Sequence, residues 1–148
     1  MPTRKQDPYT GYSFLVEIDG VTQAGFMECT GLGSHTDVIE YREGTDASTV
    51  RKLPGLTRYS NIVLRWGVTQ STELLEWRKT VIEGRVERKH GAIILLDDRQ
   101  GEMARWVFQH GWPSRMSGPE LNAMTSAVAI EELEICHEGV MRAGSRTT

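Results

Sequence analysis

The residues of this chain with chemical potential are four histidines, two cysteines and scattered carboxylates, and their spacing limits what they can do together. His35, His90, His110 and His137 stand far apart, and none forms the two-His helical spacing of a metalloprotease. His35-Thr36-Asp37 and His137-Glu138 each supply one or two donors, short of the three or four convergent ligands that tetrahedral zinc needs. Cys29 and Cys136 fall inside predicted strands with no close zinc or redox spacing, and they read as small buried thiols. Gly31-Leu32-Gly33 follows a predicted strand as a dinucleotide loop would, but the third glycine is missing and a polar loop replaces the helix, so it reads as a turn. No Gly-x-Ser-x-Gly elbow presents a nucleophile. Glu131 and Glu132 are adjacent on a strand and point to opposite faces, whereas an acid and a base must converge on one substrate. No catalytic, cofactor-binding or metal constellation emerges, and the chain reads as a non-enzyme.

Four tryptophans offer stacking surfaces instead. Trp66, Trp77 and Trp106 fall in phase with apolar neighbours and read as core. Trp112 sits beside Pro113 in a predicted loop, where it either plugs a barrel end or anchors a subunit contact.

The elements that must position these groups come from a chain of 148 residues, expected to form one domain over 1–148 with its core from about 7 to 141 and short frayed termini. Hydrophobic residues at 39% and charged residues at 25% exclude wholesale disorder. The net charge of -3 and the lack of a basic run argue against an autonomous nucleic-acid binder. No apolar run reaches the ~20 residues of a membrane span, and the amino terminus lacks a signal-like stretch, so the expectation is a cytoplasmic chain with no membrane insertion.

Tyr12, Phe14, Val16 and Ile18 alternate as one face of a strand, and Asp19-Gly20 turns the chain back into a second strand over Val21 to Thr30. From Gly31 to Arg58 the pattern predicts a long loop with one short strand at Asp37 to Arg42 and a turn centred on Pro54-Gly55. A connection of that length in a compact domain is more often functional than idle. Ile62, Leu64 and Trp66 alternate in another strand. A helix over Ser71 to Glu83 follows, capped by Ser71 or Thr72, with Leu74, Trp77, Arg78, Val81 and Ile82 at helical spacing and Gly84 as its stop.

Ala92-Ile93-Ile94-Leu95-Leu96 is apolar throughout, so one face meets the core and the other needs the helix or a neighbouring subunit. A turn at Asp97 to Gly101 leads into a second hairpin, Glu102 to His110. Pro113 and Pro119 break pairing between Gly111 and Pro119, and Ala123 to Glu138 forms the longest strand, its apolar phase changing at Glu131-Glu132 through a bulge or a switch of cover. Six or seven strands and one helix predict a mainly β (α+β) fold: a small antiparallel barrel or sandwich of two packed sheets with one flanking helix.

Taken in order, Asp7-Pro8-Tyr9, Phe14 to Gly20, Pro54-Gly55-Leu56-Thr57, Gly67-Val68-Thr69, Glu73 to Lys79, Ile82-Glu83-Gly84, Ile93 to Asp97, Trp112-Pro113 and Ile130 to Gly139 resemble the contractile phage tail-tube family. That family is similar to the ring protein of type VI secretion. Each motif is weak alone; their shared order over about Asp7 to Met141 is specific. The resemblance implies a structural subunit that forms homohexameric rings, stacked into a hollow inner tube within a sheath. Its implied partners are itself, a sheath protein, baseplate or initiator proteins, and DNA or toxin cargo in the channel, with no cofactor. It also implies that the Tyr41 to Arg58 loop reaches the neighbouring subunit or ring, with Tyr41, Arg42, Arg51, Lys52, Leu53, Pro54, Arg58 and Trp112 as contact residues. The helix would lie outward, with Glu73, Glu76, Arg78 and Lys79 available to the sheath. Two alternatives stand beside this: a tube-initiator or terminator ring, and a monomeric small barrel binding carbohydrate or nucleic acid through Trp112 and nearby arginines.

Overall fold

The computed structural model describes residues 13–23, 25–42, 44, 48–69, 71–124 and 129–144. Tyr12, Val128 and the tail beyond Gly144, all placed by the sequence pattern, lie outside them. The described elements are β1 (Ser13–Ile18), β2 (Val21–Gln23), β3 (Phe26–Thr30), β4 (Ser34–Tyr41), β5 (Arg51–Tyr59), β6 (Ile62–Gly67), α1 (Glu73–Ile82), β7 (Lys89–Leu96), β8 (Glu102–Ser117), β9 (Ile130–Cys136) and β10 (Gly139–Arg142). Every strand pairing is antiparallel. The expected architecture of two packed sheets and a flanking helix is present, with the strands more finely divided than the sequence pattern predicts.

The first sheet joins β2, β1, β7, β8 and β10, and the second joins β3, β6, β9 and the far half of β8. Two segments pass from one sheet to the other. The predicted second strand splits at Gly25, which takes a φ of 87° that side chains avoid, so β2 stays on β1 while β3 crosses to β6. In β8, the register with β7 runs as far as Gly111 and that with β9 starts at Trp112.

The predicted break at Gly111 to Pro119 is therefore an uninterrupted strand as far as Ser117. Pro113 is tolerated because a bulge between Pro113 and Arg115 relieves the ladder where the missing N–H would be needed. Conversely, β9 is shorter than predicted, and its register with β6 is unbroken from Ile130 to Cys136's neighbour Ile135. The phase change at Glu131-Glu132 needs no bulge in β9. Glu131 shares the inward face with Leu133 and Ile135 because it accepts a 3.0 Å hydrogen bond from Trp66 Nε1, and Glu132 points the other way.

Between the sheets lies a core of Val16, Ile18, Ile62, Leu64, Trp66, Trp77, Ile93, Phe108, Leu133, Ile135 and Val140, with Trp106 packed against it. The three tryptophans expected in the core are there. Phe108 is fully buried between two glycines: a Cβ on Gly91 would fall 2.4 Å from the ring, and one on Gly111 would fall 2.7 Å from it. Both faces of β7 are covered, as its apolar run requires. Ile93 joins the main core, and Ala92, Ile94 and Leu96 form a second cluster with Leu15 and Val107.

The helix is held by Trp77, which is buried and donates from Nε1 to the Glu87 carbonyl at 2.8 Å. Neither predicted cap is used: the Thr72 side chain makes no capping bond, and the Ser71 backbone N–H donates to Thr69 Oγ1 at 3.2 Å. Gly84, at φ 81°, ends the helix as expected. Ile82, predicted on the buried stripe, is 68% exposed.

Candidate assembly interface

The stretch predicted as a long loop with one short strand at Asp37 to Arg42 is the feature that stands off the barrel, and β4 contains that strand as far as Tyr41. Among the described residues, β4 and β5 pair only with each other, forming a two-stranded ribbon. Pro54 and Gly55 lie inside β5 and make no turn. Proline is admitted because β5 is an edge strand and a register shift falls between Thr36 and Val38, opposite it. Gly55 leaves room for Ile39, whose Cδ1 would sit 3.2 Å from any added Cβ.

At its root the ribbon is firmly tied. Ser60 N–H donates to the Gly33 carbonyl at 3.1 Å, His137 Nε2 lies 2.7 Å from the Ser60 carbonyl, and half-buried Tyr59 packs on the core. His137 Nδ1 accepts from Gly139 N–H at 3.2 Å, so the neutral tautomer carries its proton on Nε2 and donates it to Ser60. Gly31 closes the root from below: any Cβ there would fall 1.9 Å from the Asn61 carbonyl oxygen, at a φ of 94°. Along the ribbon, Thr36 and Thr57 share a 2.9 Å hydroxyl hydrogen bond, and Arg58 pairs with Asp37 at 3.1 Å.

Outward from the root, both ribbon faces carry apolar side chains in the open. Antiparallel partners share a face, which puts Ile39 with Leu53 and Tyr41 with Arg51 on one side, and Val38 with Pro54 and Glu40 with Lys52 on the other. Val38, Ile39, Tyr41, Leu53 and Leu56 are all exposed, Leu56 most of all at 71%. A two-stranded ribbon is marginal in water by itself, and among the described residues no third strand joins this one.

Seven of the eight predicted contact residues therefore lie on or beside the ribbon: Tyr41, Arg51, Lys52, Leu53, Pro54 and Arg58 within its strands, and Arg42 just past β4. Trp112 does not join them. It is half-buried in β8, opposite Cys136 on the second sheet. Of the arginines near it, Arg115 is already held by Glu132 and Glu134 and Arg78 by the Pro113 carbonyl, leaving little for the ligand site of a free-standing barrel. Of the four outward helix residues, Glu76 and Lys79 are exposed and 3.8 Å apart, while Glu73 accepts from Gln23 of β2 and Arg78 is half-buried, donating to the Pro113 carbonyl at 3.1 Å. The sequence reading missed Val38, Ile39 and Leu56, although apolar pairs in a glycine-rich, charged stretch were the available signal.

Among the described residues, no group of three or more His, Cys, Asp or Glu side chains is placed to hold a metal ion. Burial, aided by the charge of Glu28, pushes the Cys29 thiol up to about 12, which makes it a poor nucleophile.

A profile of the family described as T4-like virus tail tube protein gp19 matches residues 10–141. The chain belongs to that family. Solved structures agree over nearly the whole chain. A chain of the sheath–tube complex of an extracellular contractile injection system (PVC, extended state) is 27% identical with a TM-score of 0.82, covering 97% of this chain and 99% of its own. One from the sheath/tube terminator of the same system is 28% identical with a TM-score of 0.81, covering 93% and 97%. Hcp1 from Flavobacterium johnsoniae, at 16% identity and a TM-score of 0.59 over 90% and 96%, shares the fold. No protein of curated function matches the sequence. Tail tube proteins of this family are structural components of phage tails and phage-like particles, and among the described residues no helix is long and apolar enough to cross a membrane.

Proposed function

We propose that this chain is the inner-tube subunit of a contractile tail or injection apparatus, in which identical copies form stacked homohexameric rings around a hollow channel. The observation that carries the reading is the β4–β5 ribbon, tied at its root and with exposed apolar side chains on both faces. Such a ribbon gains stability only when another surface covers it, and a second copy of the chain is the partner that the tail tube family supplies. Tyr41, Arg42, Arg51, Lys52, Leu53 and Pro54 then act in contacts between subunits. Arg58 serves mainly inside the ribbon through Asp37. The exposed pair Glu76 and Lys79 faces the sheath, and Glu73 and Arg78 set the angle of the helix. Baseplate or initiator proteins start the stack, DNA or a toxin passes along it, and the chain carries out no catalysis.

A terminator ring is the second reading, favoured by the 28% identity to a chain of the PVC sheath/tube terminator. A terminator stacks on one side only. Negative-stain imaging of the concentrated chain tests both: open-ended tubes support the tube subunit, and single rings that cap a tube support the terminator. A solitary particle near 16.7 kDa, even beside its cognate baseplate, overturns both.

A further inference from the structure

At one end of the first sheet a bulge brings two histidines together. On β7, Lys89, Gly91 and Ile93 face the core by simple alternation: Lys89 Nζ stands 5.8 Å from the Trp77 ring, and a Cβ on Gly91 would meet Phe108. His90 between them therefore points outward. On β8, Phe108 and Gly111 both face the core although they are three residues apart, which alternation alone forbids. The register supplies the extra residue: Lys89 pairs with Gly111 and Gly91 with Phe108, so Gln109 and His110 together oppose His90. His110 takes the left-handed conformation this needs, at φ 55°, uncommon for a residue with a side chain.

The bulge aims the second imidazole at the first. Their ring centres are 4.8 Å apart with the planes at 67°, and both residues are exposed. His90 Nδ1 accepts a long 3.4 Å hydrogen bond from the His110 backbone N–H, and His90 Nε2 and both ring nitrogens of His110 have no partner among the described residues. The other two histidines are engaged elsewhere. His35 Nε2 lies 3.5 Å from Asp37, and His137 uses both nitrogens at the root of the ribbon.

Two imidazoles on one zinc ion, each nitrogen about 2.1 Å from it, have ring centres about 4.5 Å apart at a right angle and about 5.2 Å apart at the tetrahedral angle. The observed 4.8 Å falls between these limits. Ligation through His90 Nε2 moves the proton of the neutral ring to Nδ1 and gives up only the long contact with His110 N–H. The geometry points to a surface site for one borderline divalent transition-metal ion, chelated by His90 and His110 with water in its remaining positions. Copper is held tightest there, and nickel and zinc more weakly. Two protein donors fall short of a closed structural site, so the ion exchanges with solvent. Nothing in the site requires assembly, although its place bears on it: His110 follows Gln109, whose register partner Gly139 donates to His137 at the ribbon root.

Calorimetric titration of the full chain with zinc chloride at neutral pH, and electron paramagnetic resonance of the chain loaded with copper(II), test the assignment. The parent should take up one ion per subunit and show two coupled nitrogens on copper. His90→Gln and His110→Asn should each weaken binding on the order of a hundredfold, the advantage of a second tethered donor, and leave one coupled nitrogen. Asparagine is chosen because it tolerates a left-handed backbone. His35→Ala should leave both readouts unchanged. If His110→Asn does not fold, His90→Gln and the copper spectrum of the parent decide. Absence of saturable binding, a single coupled nitrogen in the parent, binding that survives His90→Gln, or binding lost in His35→Ala would each overturn the site and leave the tube reading standing.

Discussion

Leu56 gives the clearest test of the ribbon, because its role in the monomer and its role in the assembly separate in magnitude. It is 71% exposed on an edge strand, so Leu56→Asp should change monomer stability by no more than about 0.5 kcal/mol. In a covered interface the balance is different. Full burial of a leucine contributes roughly 2 kcal/mol, and with most of this side chain still open, covering it contributes about 1 kcal/mol or slightly more. Aspartate forfeits that and adds a carboxylate desolvated without a partner, on the order of 3 kcal/mol or more. A loss of about 4 kcal/mol per contact raises the concentration needed for assembly roughly a thousandfold, while Leu56→Ala, losing about 1 kcal/mol, raises it roughly fivefold. Denaturant midpoints report the monomer, and pelleting with negative-stain imaging across a concentration series reports the assembly. Leu56→Asp tubes forming at the parental concentration, from a chain as stable as the parent, would refute the idea that a partner covers this ribbon. A variant that fails to fold would refute the idea that Leu56 is idle in the monomer.

Three further outcomes follow from the barrel. Gly111→Ala should cost about 1–3 kcal/mol by crowding Phe108, and Phe108→Leu in the same chain should recover part of it; Gly91→Ala should be recovered less, because its added methyl also meets the Glu17 carbonyl at 2.5 Å, and denaturant midpoints across both double-mutant cycles decide this. The carboxyl of Glu134 is held below its ordinary value by the Asn61 hydrogen bond and then by Arg115, so its contribution is complete above 4.5 and is lost as pH falls through the depressed value; as it lies on a sheet face that water reaches the contribution is small, and Glu134→Gln should flatten the acid limb of the melting-temperature profile. Cys29 should resist iodoacetamide at neutral pH in the folded chain and react once it is unfolded, which peptide mapping by mass spectrometry reads directly.

The barrel was legible in the sequence wherever a strand has one wet face and one dry face. β1 and β6 alternate cleanly because Val16, Ile18, Ile62, Leu64 and Trp66 face the core while their neighbours do not. The continuous apolar run of β7 announced its two covered faces equally well. The turns at Asp19-Gly20 and Gly84 follow from positive φ values that the pattern of glycines foretold. Proline misled at Pro54, read as a turn centre, and at Pro113, read as a break, whereas Pro119 does fall past the end of β8. Pro54 and Pro113 each sit at a register shift, where an absent N–H is harmless, and a single chain does not reveal which strand will be an edge.

The ribbon escaped because alternation is a rule about a monomer's own core. Val38 and Pro54 lie on one side and Ile39 and Leu53 on the other, so no period of two survives, and all of the stretch but the short strand at Asp37 to Arg42 reads as a loop. The pattern is coherent once both faces are destined for cover by other copies. A strand that meets partners on both sides has no reason to keep one side polar.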